Sequence, residues 1–187
     1  MSDTALILID IQNDYFKDGR WPVENMLEVS ANAARLLQHA RNKAHSVIHI
    51  RHENPSVDAP FFRPGTQGAV IHSSVSPENN EPVILKHRPN SFLGTDLRQQ
   101  LDDRSTKNIV ICGAMSQMCV DSTARTAVDF GYAVTIIENA CGAKEQTFDG
   151  RELSAAQVHA AFMAPLAMSF ARVTTCEIFL SENIQPH

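Results

Sequence analysis

Six short apolar runs, most rich in β-branched residues and separated by stretches of helical period, limit what this chain can fold into more than any other feature. Ala5–Ile9, Ser46–Arg51, Pro82–Leu85, Ile109–Cys112, Tyr132–Ile137 and Arg172–Phe179 read as strands, the first a continuous run suited to burial on both faces. Between them the apolar period is helical. One helix is predicted from about Glu24 to Lys43, with Leu27, Ala31, Ala34, Leu37 and Ala40 inward. A second runs from Gly94 to about Asp103, with Leu97 and Leu101 inward. A third starts near Cys119, with Val120, Ala124, Ala127 and Val128 on one face and the Asp121, Arg125, Asp129 ladder on the other, and ends at Gly131. An alanine-rich fourth, capped by Ser154, reaches about Phe170. Such alternation is the signature of a three-layer α/β/α fold with a doubly wound, mainly parallel, six-stranded sheet, the last strand lying at an edge.

At 187 residues, without internal repeat or composition break, the chain reads as one domain over 1–187. A hydrophobic fraction of 43% and a charged fraction of 20% are those of an ordinary soluble protein. A net charge of -5 and a pI near 5.9, with no Lys/Arg cluster, argue against nucleic acid or an anionic membrane as partner. The amino terminus lacks a basic leader, and no run approaches the length of a membrane span. Cys112, Cys119, Cys141 and Cys176 form no CxxC pair, so free thiols in a reducing cytoplasm are expected.

Residues just beyond the carboxyl ends of parallel strands share one rim, where ligands of such sheets bind. Asp10 follows the first strand, Lys86 the third, and Cys119 opens the helix after the fourth. Taken singly, these read as a turn or cap aspartate, a solvated lysine and a buried cysteine. Together they meet the needs of thiol chemistry: a nucleophilic cysteine needs a base or a lowered pKa, a carboxylate can take its proton, and an ammonium balances the charge. The free N–H groups at a helix start also favour a thiolate. A first strand without a Gly-x-Gly-x-x-Gly turn argues against dinucleotide binding.

Three stretches, Asp10-Ile11-Gln12-Asn13-Asp14-Tyr15-Phe16, Lys86 with Ser91-Phe92-Leu93-Gly94-Thr95, and Gly113-Ala114-Met115 leading to Cys119-Val120, resemble the isochorismatase-like cysteine hydrolases, whose members include nicotinamidases and N-carbamoylsarcosine amidohydrolases. The resemblance spans essentially the whole chain. It implies Cys119 as nucleophile, Asp10 as its base and Lys86 as the orienting, charge-balancing residue. It further implies a cis peptide at Ala114–Met115 and an oxyanion hole formed by the backbone N–H groups of Met115 and Cys119. The implied reaction cleaves a small amide, carbamoyl or related carbonyl compound through a thioester, without cofactor. Homo-oligomers are common among such relatives, and the irregular 52–81 segment is a candidate lid or interface.

The sequence departs from the nicotinamidase pattern after the second strand. Arg51-His52-Glu53-Asn54 lacks the Asp-x-His metal motif, so no metal is expected. His49 and His52 lie three apart on an extended chain and point to opposite faces, which leaves His49 a strand residue and His52 a loop residue. Phe16, Trp21 and Phe92 are candidates to stack on a planar substrate, Gln12 and Gln117 to hydrogen-bond an amide, and Arg88 to pair with a carboxylate; each competes with a packing or solvated role. Cys141 is the rival thiol, while Cys112 and Cys176 read as structural. Other readings are enol-ether cleavage of the isochorismatase kind, a catalytically silent ligand-binding domain, and a papain-like pairing of Cys119 with His87.

Overall fold

The period-two alternation within the strands decides the layering. In β1 (Thr4–Ile9), Leu6 and Leu8 face one side of the sheet while Ala5, Ile7 and Ile9 face the other. The chain is described by a computed structural model covering residues 2–56 and 58–182. Met1, Val57 and residues 183–187, which the single-domain reading takes in, lie outside the described residues. After β1 come α1 (Met26–Asn42), β2 (Ser46–His52), β3 (Val83–Lys86), α2 (Leu97–Asp102) and β4 (Asn108–Ala114). Then follow α3 (Asp121–Asp129), β5 (Ala133–Gly142), β6 (Gln146–Phe148), β7 (Arg151–Leu153), α4 (Ala155–Ser169), β8 (Arg172–Thr174) and α5 (Cys176–Glu182).

The main sheet has six strands in the order β3-β2-β1-β4-β5-β8, every adjacent pair parallel. The expected doubly wound α/β/α fold is therefore the observed one. On one face α1 and α5 cover Leu6, Leu8, Val47, Val110 and Cys112. On the other α2, α3 and α4 cover Ala5, Ile7, Ile48, Ile109 and Ile136. The strand order reverses between β1 and β4, so the crevice at their carboxyl ends is where such a sheet receives a ligand. No helix among the described residues is long and apolar enough to cross a membrane.

Four elements differ from expectation. The buried stripe of α1 is Met26, Val29, Ala33, Leu36, Leu37 and Ala40; Leu27 is 71% exposed, and Ala31 is exposed too. The sequence offered two overlapping apolar stripes, and the bulkier one won. β5 runs on to Gly142, past a register shift opposite Ile111 and Gly113. The polar stretch beyond it holds the antiparallel β6–β7 hairpin. The last strand stops at Thr174, because the Thr175 hydroxyl accepts from the Ile178 N–H and starts α5, which puts Cys176 on a helix. Ser154 caps α4 as its sequence suggests, and Gln157 completes a capping box: the Ser154 hydroxyl accepts from Gln157 N, and Gln157 Oε1 accepts from Ser154 N.

Candidate active site

β1 ends where Asp10 takes a left-handed conformation (φ 51°), which a short polar side chain tolerates. Its carboxylate is wholly buried. Lys86, the last residue of β3, reaches across β2 to put Nζ 2.8 Å from Asp10 Oδ2. The same ammonium donates to the carbonyl oxygens of Arg88 (3.1 Å) and Pro89 (3.0 Å). The ammonium thus has three oxygen partners, while Asp10 Oδ1 is buried without a hydrogen-bond partner among the described residues; a buried charge is costly unless it is paired.

Cys119 arrives from the neighbouring strand on the other side. β4 leads into the Ala114–Met115 bond, which is cis, and then into a π-helical turn over Ser116–Val120 that precedes α3. Cys119 therefore sits in that turn, where the sequence suggested the first turn of the α-helix. Turns of this kind recur at functional sites. Gly113, just upstream, has φ +130°, and a Cβ there would lie 2.0 Å from the Ile9 carbonyl oxygen. Only glycine allows β4 to come this close to β1, which is what brings the cysteine turn to Asp10.

Cys119 Sγ, a carboxylate oxygen of Asp10 and a ring nitrogen of His52 lie within 4.8 Å of one another. Burial pushes the Cys119 thiol up to about 12, and the Asp10 charge adds to the rise; Lys86 offsets part of it. Cys119 therefore rests as a thiol, and the helix-start effect does not produce a standing thiolate. Burial works against the Lys86 charge, yet Asp10 and Cys119 raise its pKa on balance. His52 is lowered to about 4 by burial and Lys86, against the pull of Asp10, and is neutral at pH 7.

His52 is the member that the sequence misplaced. It ends β2, and Nδ1 stands 3.4 Å from Lys86 Nζ and 3.9 Å from Asp10 Oδ2. The carboxyl end of the second strand lies on the same rim as Asp10 and Lys86, which is where His52 stands. Gln12 holds it there. The Gln12 amide donates to His52 O (2.8 Å) and accepts from His52 N (2.8 Å), continuing the strand pairing by side chain. Its second N–H goes to Ala69 O (2.8 Å). The buried Gln12 amide has no group left for a substrate, contrary to its assignment as a contact.

Asp10, His52 and Cys119 also form a donor set suited to a soft divalent metal. The Lys86 ammonium at 2.8 Å already supplies the positive charge beside Asp10. A metal held there would have to displace it.

Aromatic rings build one wall. Phe62 packs 4.5 Å from Tyr15 and 6.0 Å from His52, and Phe61 stacks on Trp21 at 5.0 Å. The buried Asp14 carboxylate ties this wall down, accepting from the Phe62 N–H (2.6 Å) and the Arg20 N–H (3.1 Å). The irregular segment after β2 thereby folds back over the site within the same chain. Trp21 belongs to the wall, and its Nε1 is buried without a partner among the described residues. Gln117, two residues after Met115, donates to Lys144 O (3.1 Å) and leaves Oε1 buried and without a hydrogen-bond partner among the described residues. Both retain a free polar atom for a ligand. Phe16 is spent on His72, stacked at 3.7 Å, and Phe92 on Tyr132 and Phe130. The structure gives each ring a protein partner where the sequence suggested a planar substrate.

The rivals fall away. His87 is exposed and directs Nδ1 to Glu53 O (2.7 Å), while His52 is the histidine beside Cys119. Arg88 is exposed and presents its carbonyl, not its guanidinium, to Lys86. Burial pushes Cys141 up to about 12, as it does Cys119, but Lys86 offsets part of the rise only at Cys119; Cys112 is raised by burial too. His49 is buried against Glu81 at 3.0 Å, a structural pair.

A family model for the isochorismatase domain matches residues 4–177. An uncharacterized isochorismatase family protein of Bacillus subtilis, YddQ, is 45% identical over 177 residues, covering 95% of this chain and 98% of its own length. A streptothricin hydrolase of Streptomyces noursei is 33% identical over 138 residues, 73% of this chain and 48% of that protein. Among solved structures, a candidate isochorismatase hydrolase from Oleispira antarctica superimposes with a TM-score of 0.92 at 42% identity, covering 95% of this chain and 96% of that one. The chain belongs to the isochorismatase family of hydrolases.

Proposed function

We propose that this isochorismatase-family chain is a metal-independent cysteine hydrolase that cleaves a small amide, carbamoyl or related carbonyl compound through a thioester on Cys119. The observation that carries the reading is the buried Lys86–Asp10 pair, 2.8 Å apart, set beside a thiol that cannot ionise alone. Asp10 takes the proton from Cys119 as Sγ attacks the carbonyl carbon, and Lys86 offsets the negative charge throughout. The oxyanion is held by the N–H groups of Met115 and Cys119. Asp10 returns the proton to the departing nitrogen, ammonia or an amine leaves, and the thioester remains. Water then gives a proton to Asp10 and its oxygen to the acyl carbon; the acid departs, and the sulfur recovers its proton. Trp21 and Gln117 contribute the unpaired N–H and C=O that fix the substrate.

The test is ammonia release over a panel of small amides and carbamoyl compounds. Replacing Cys119 with alanine is expected to lower turnover of any substrate found by about 10⁴-fold or more, and a metal chelator is expected to leave it unchanged. Turnover that survives Cys119→Ala refutes the covalent mechanism. Pyruvate release from an enol ether, with no activity across the amide panel, would put the isochorismatase reaction in its place.

A further inference from the structure

The proposed mechanism leaves one wired set of side chains unused. Ser116 opens the π-helical turn three residues before Cys119 and is wholly buried. Its Oγ lies 3.1 Å from Gly142 O and 2.9 Å from His159 Nδ1. On the far side of the ring, His159 Nε2 lies 3.3 Å from Glu138 Oε2. Three elements meet in this chain: the nucleophile turn, the end of β5 and α4. His159 is the one titratable residue of α4, whose other residues are apolar, small or amide. Gly142 is also the β5 partner of Ala114, so the chain touches both ends of the segment that delivers Cys119.

Counting hydrogens shows what this arrangement requires. Gly142 O and the Glu138 carboxylate only accept, and the Ser116 hydroxyl has a single hydrogen. If Ser116 donates to Gly142 O, the ring must donate from Nδ1 to Ser116 and from Nε2 to Glu138. Both nitrogens carry hydrogen only in the imidazolium. A neutral ring opens one contact: Glu138 loses its donor, or the serine turns to Nδ1 and Gly142 O loses its donor. The groups facing the ring are carboxylates. Glu24 and Glu28 line the same cleft of about 260 Å³ with Glu138 and Cys141, and the lining includes no lysine or arginine. Arg125 of the adjoining α3 pairs with Asp121 and lies over Phe170, and Arg172 of β8 pairs with Glu182.

We propose that His159 is a positioning residue for the nucleophile, its imidazolium completing a Glu138–His159–Ser116–Gly142 chain that pins the turn carrying Cys119. The inference rests on Cys119 being the nucleophile, and its readout requires no substrate. Alkylation of Cys119 by iodoacetamide, followed by mass spectrometry of the Cys119 peptide, is compared for wild type, His159→Gln and Ser116→Ala from about pH 5.5 to about pH 8.5. The ratio of wild-type to variant rate cancels the titration of the thiol itself. It is expected to be about two- to tenfold at the acid end, the worth of one hydrogen bond, and smaller at the alkaline end, where a neutral ring has already opened one contact. A ratio that is flat, or that rises with pH, in folded Ser116→Ala overturns the proposal, and that variant decides the matter if His159→Gln does not fold. Hydrolysis surviving in Cys119→Ala would overturn the function instead, a result the alkylation ratio cannot mimic.

Discussion

Cys119, Asp10 and Lys86 were legible because each follows an apolar run whose end can be read from sequence, and strand ends in a parallel sheet share a rim. His52 ends a strand on the same rim, but its spacing from His49 speaks only to metal binding and carries no signal for this position. The roles of Gln12, Phe16 and Phe92 were not legible, since an amide or a ring offers the same chemistry to a backbone as to a substrate. His52 carries a pH prediction. Its ordinary value of 6.5 falls to about 4 in the folded chain, chiefly through burial. Between these values the unfolded chain binds a proton that the folded chain refuses, so stability rises with pH across this window and is lost on acidification. The loss should approach about 3 kcal/mol by pH 4, an upper figure for a ring partly open to solvent. Urea unfolding from pH 4 to 7 measures it, and His52→Gln should flatten the slope. If the variant keeps the full slope, another group is responsible.

Among the elements, those with a single strong signal came out as read. β1, the Ser154 cap of α4 and the Gly131 stop of α3 each rest on local chemistry that tertiary contacts had no reason to overrule. Errors gathered where two local solutions compete. α1 carried two apolar stripes, and Thr175 could extend a strand or cap a helix. The continuation of β5 depends on a bulge opposite β4 and on Asn139, whose Oδ1 accepts from Cys176 N (2.8 Å) and whose carbonyl accepts from Asn32 (2.9 Å). Those partners lie far away in sequence. Gly113 is the point where an element's geometry and the chemistry join. Gly113→Ala would place a Cβ against the Ile9 carbonyl in a conformation that L side chains rarely adopt, forcing β4 away from β1. A loss of at least about 3 kcal/mol is expected, read as a lower thermal midpoint, with slower Cys119 alkylation in the fraction that stays folded. A variant with wild-type stability and reactivity would mean that the β1–β4 approach is not what sets the turn.

Across the whole molecule, parallel strands gather their carboxyl ends on one rim, the order switch between β1 and β4 opens a crevice there, and Asp14 draws the 61–62 loop over it. Asp10, Lys86 and Cys119 are all buried, with Phe61, Phe62 and Trp21 forming the aromatic wall beside them. Beyond that rim stands the β6–β7 hairpin, all six strand residues exposed and Phe148 78% exposed. A two-stranded hairpin is marginal in water by itself, and an exposed phenylalanine at its turn gains stability when covered. It follows Lys144, whose carbonyl anchors Gln117, so whatever covers the hairpin also bears on the site's edge. A second copy of the chain is the cover to test, as the homo-oligomer expected from the sequence would supply it. Sedimentation should give a mass that is a multiple of 20.6 kDa, and Phe148→Asp should shift it to a single chain while weakening substrate affinity more than it slows turnover. Wild-type protein sedimenting as one chain at micromolar concentration would remove the oligomer from the account and leave the hairpin as a free arm.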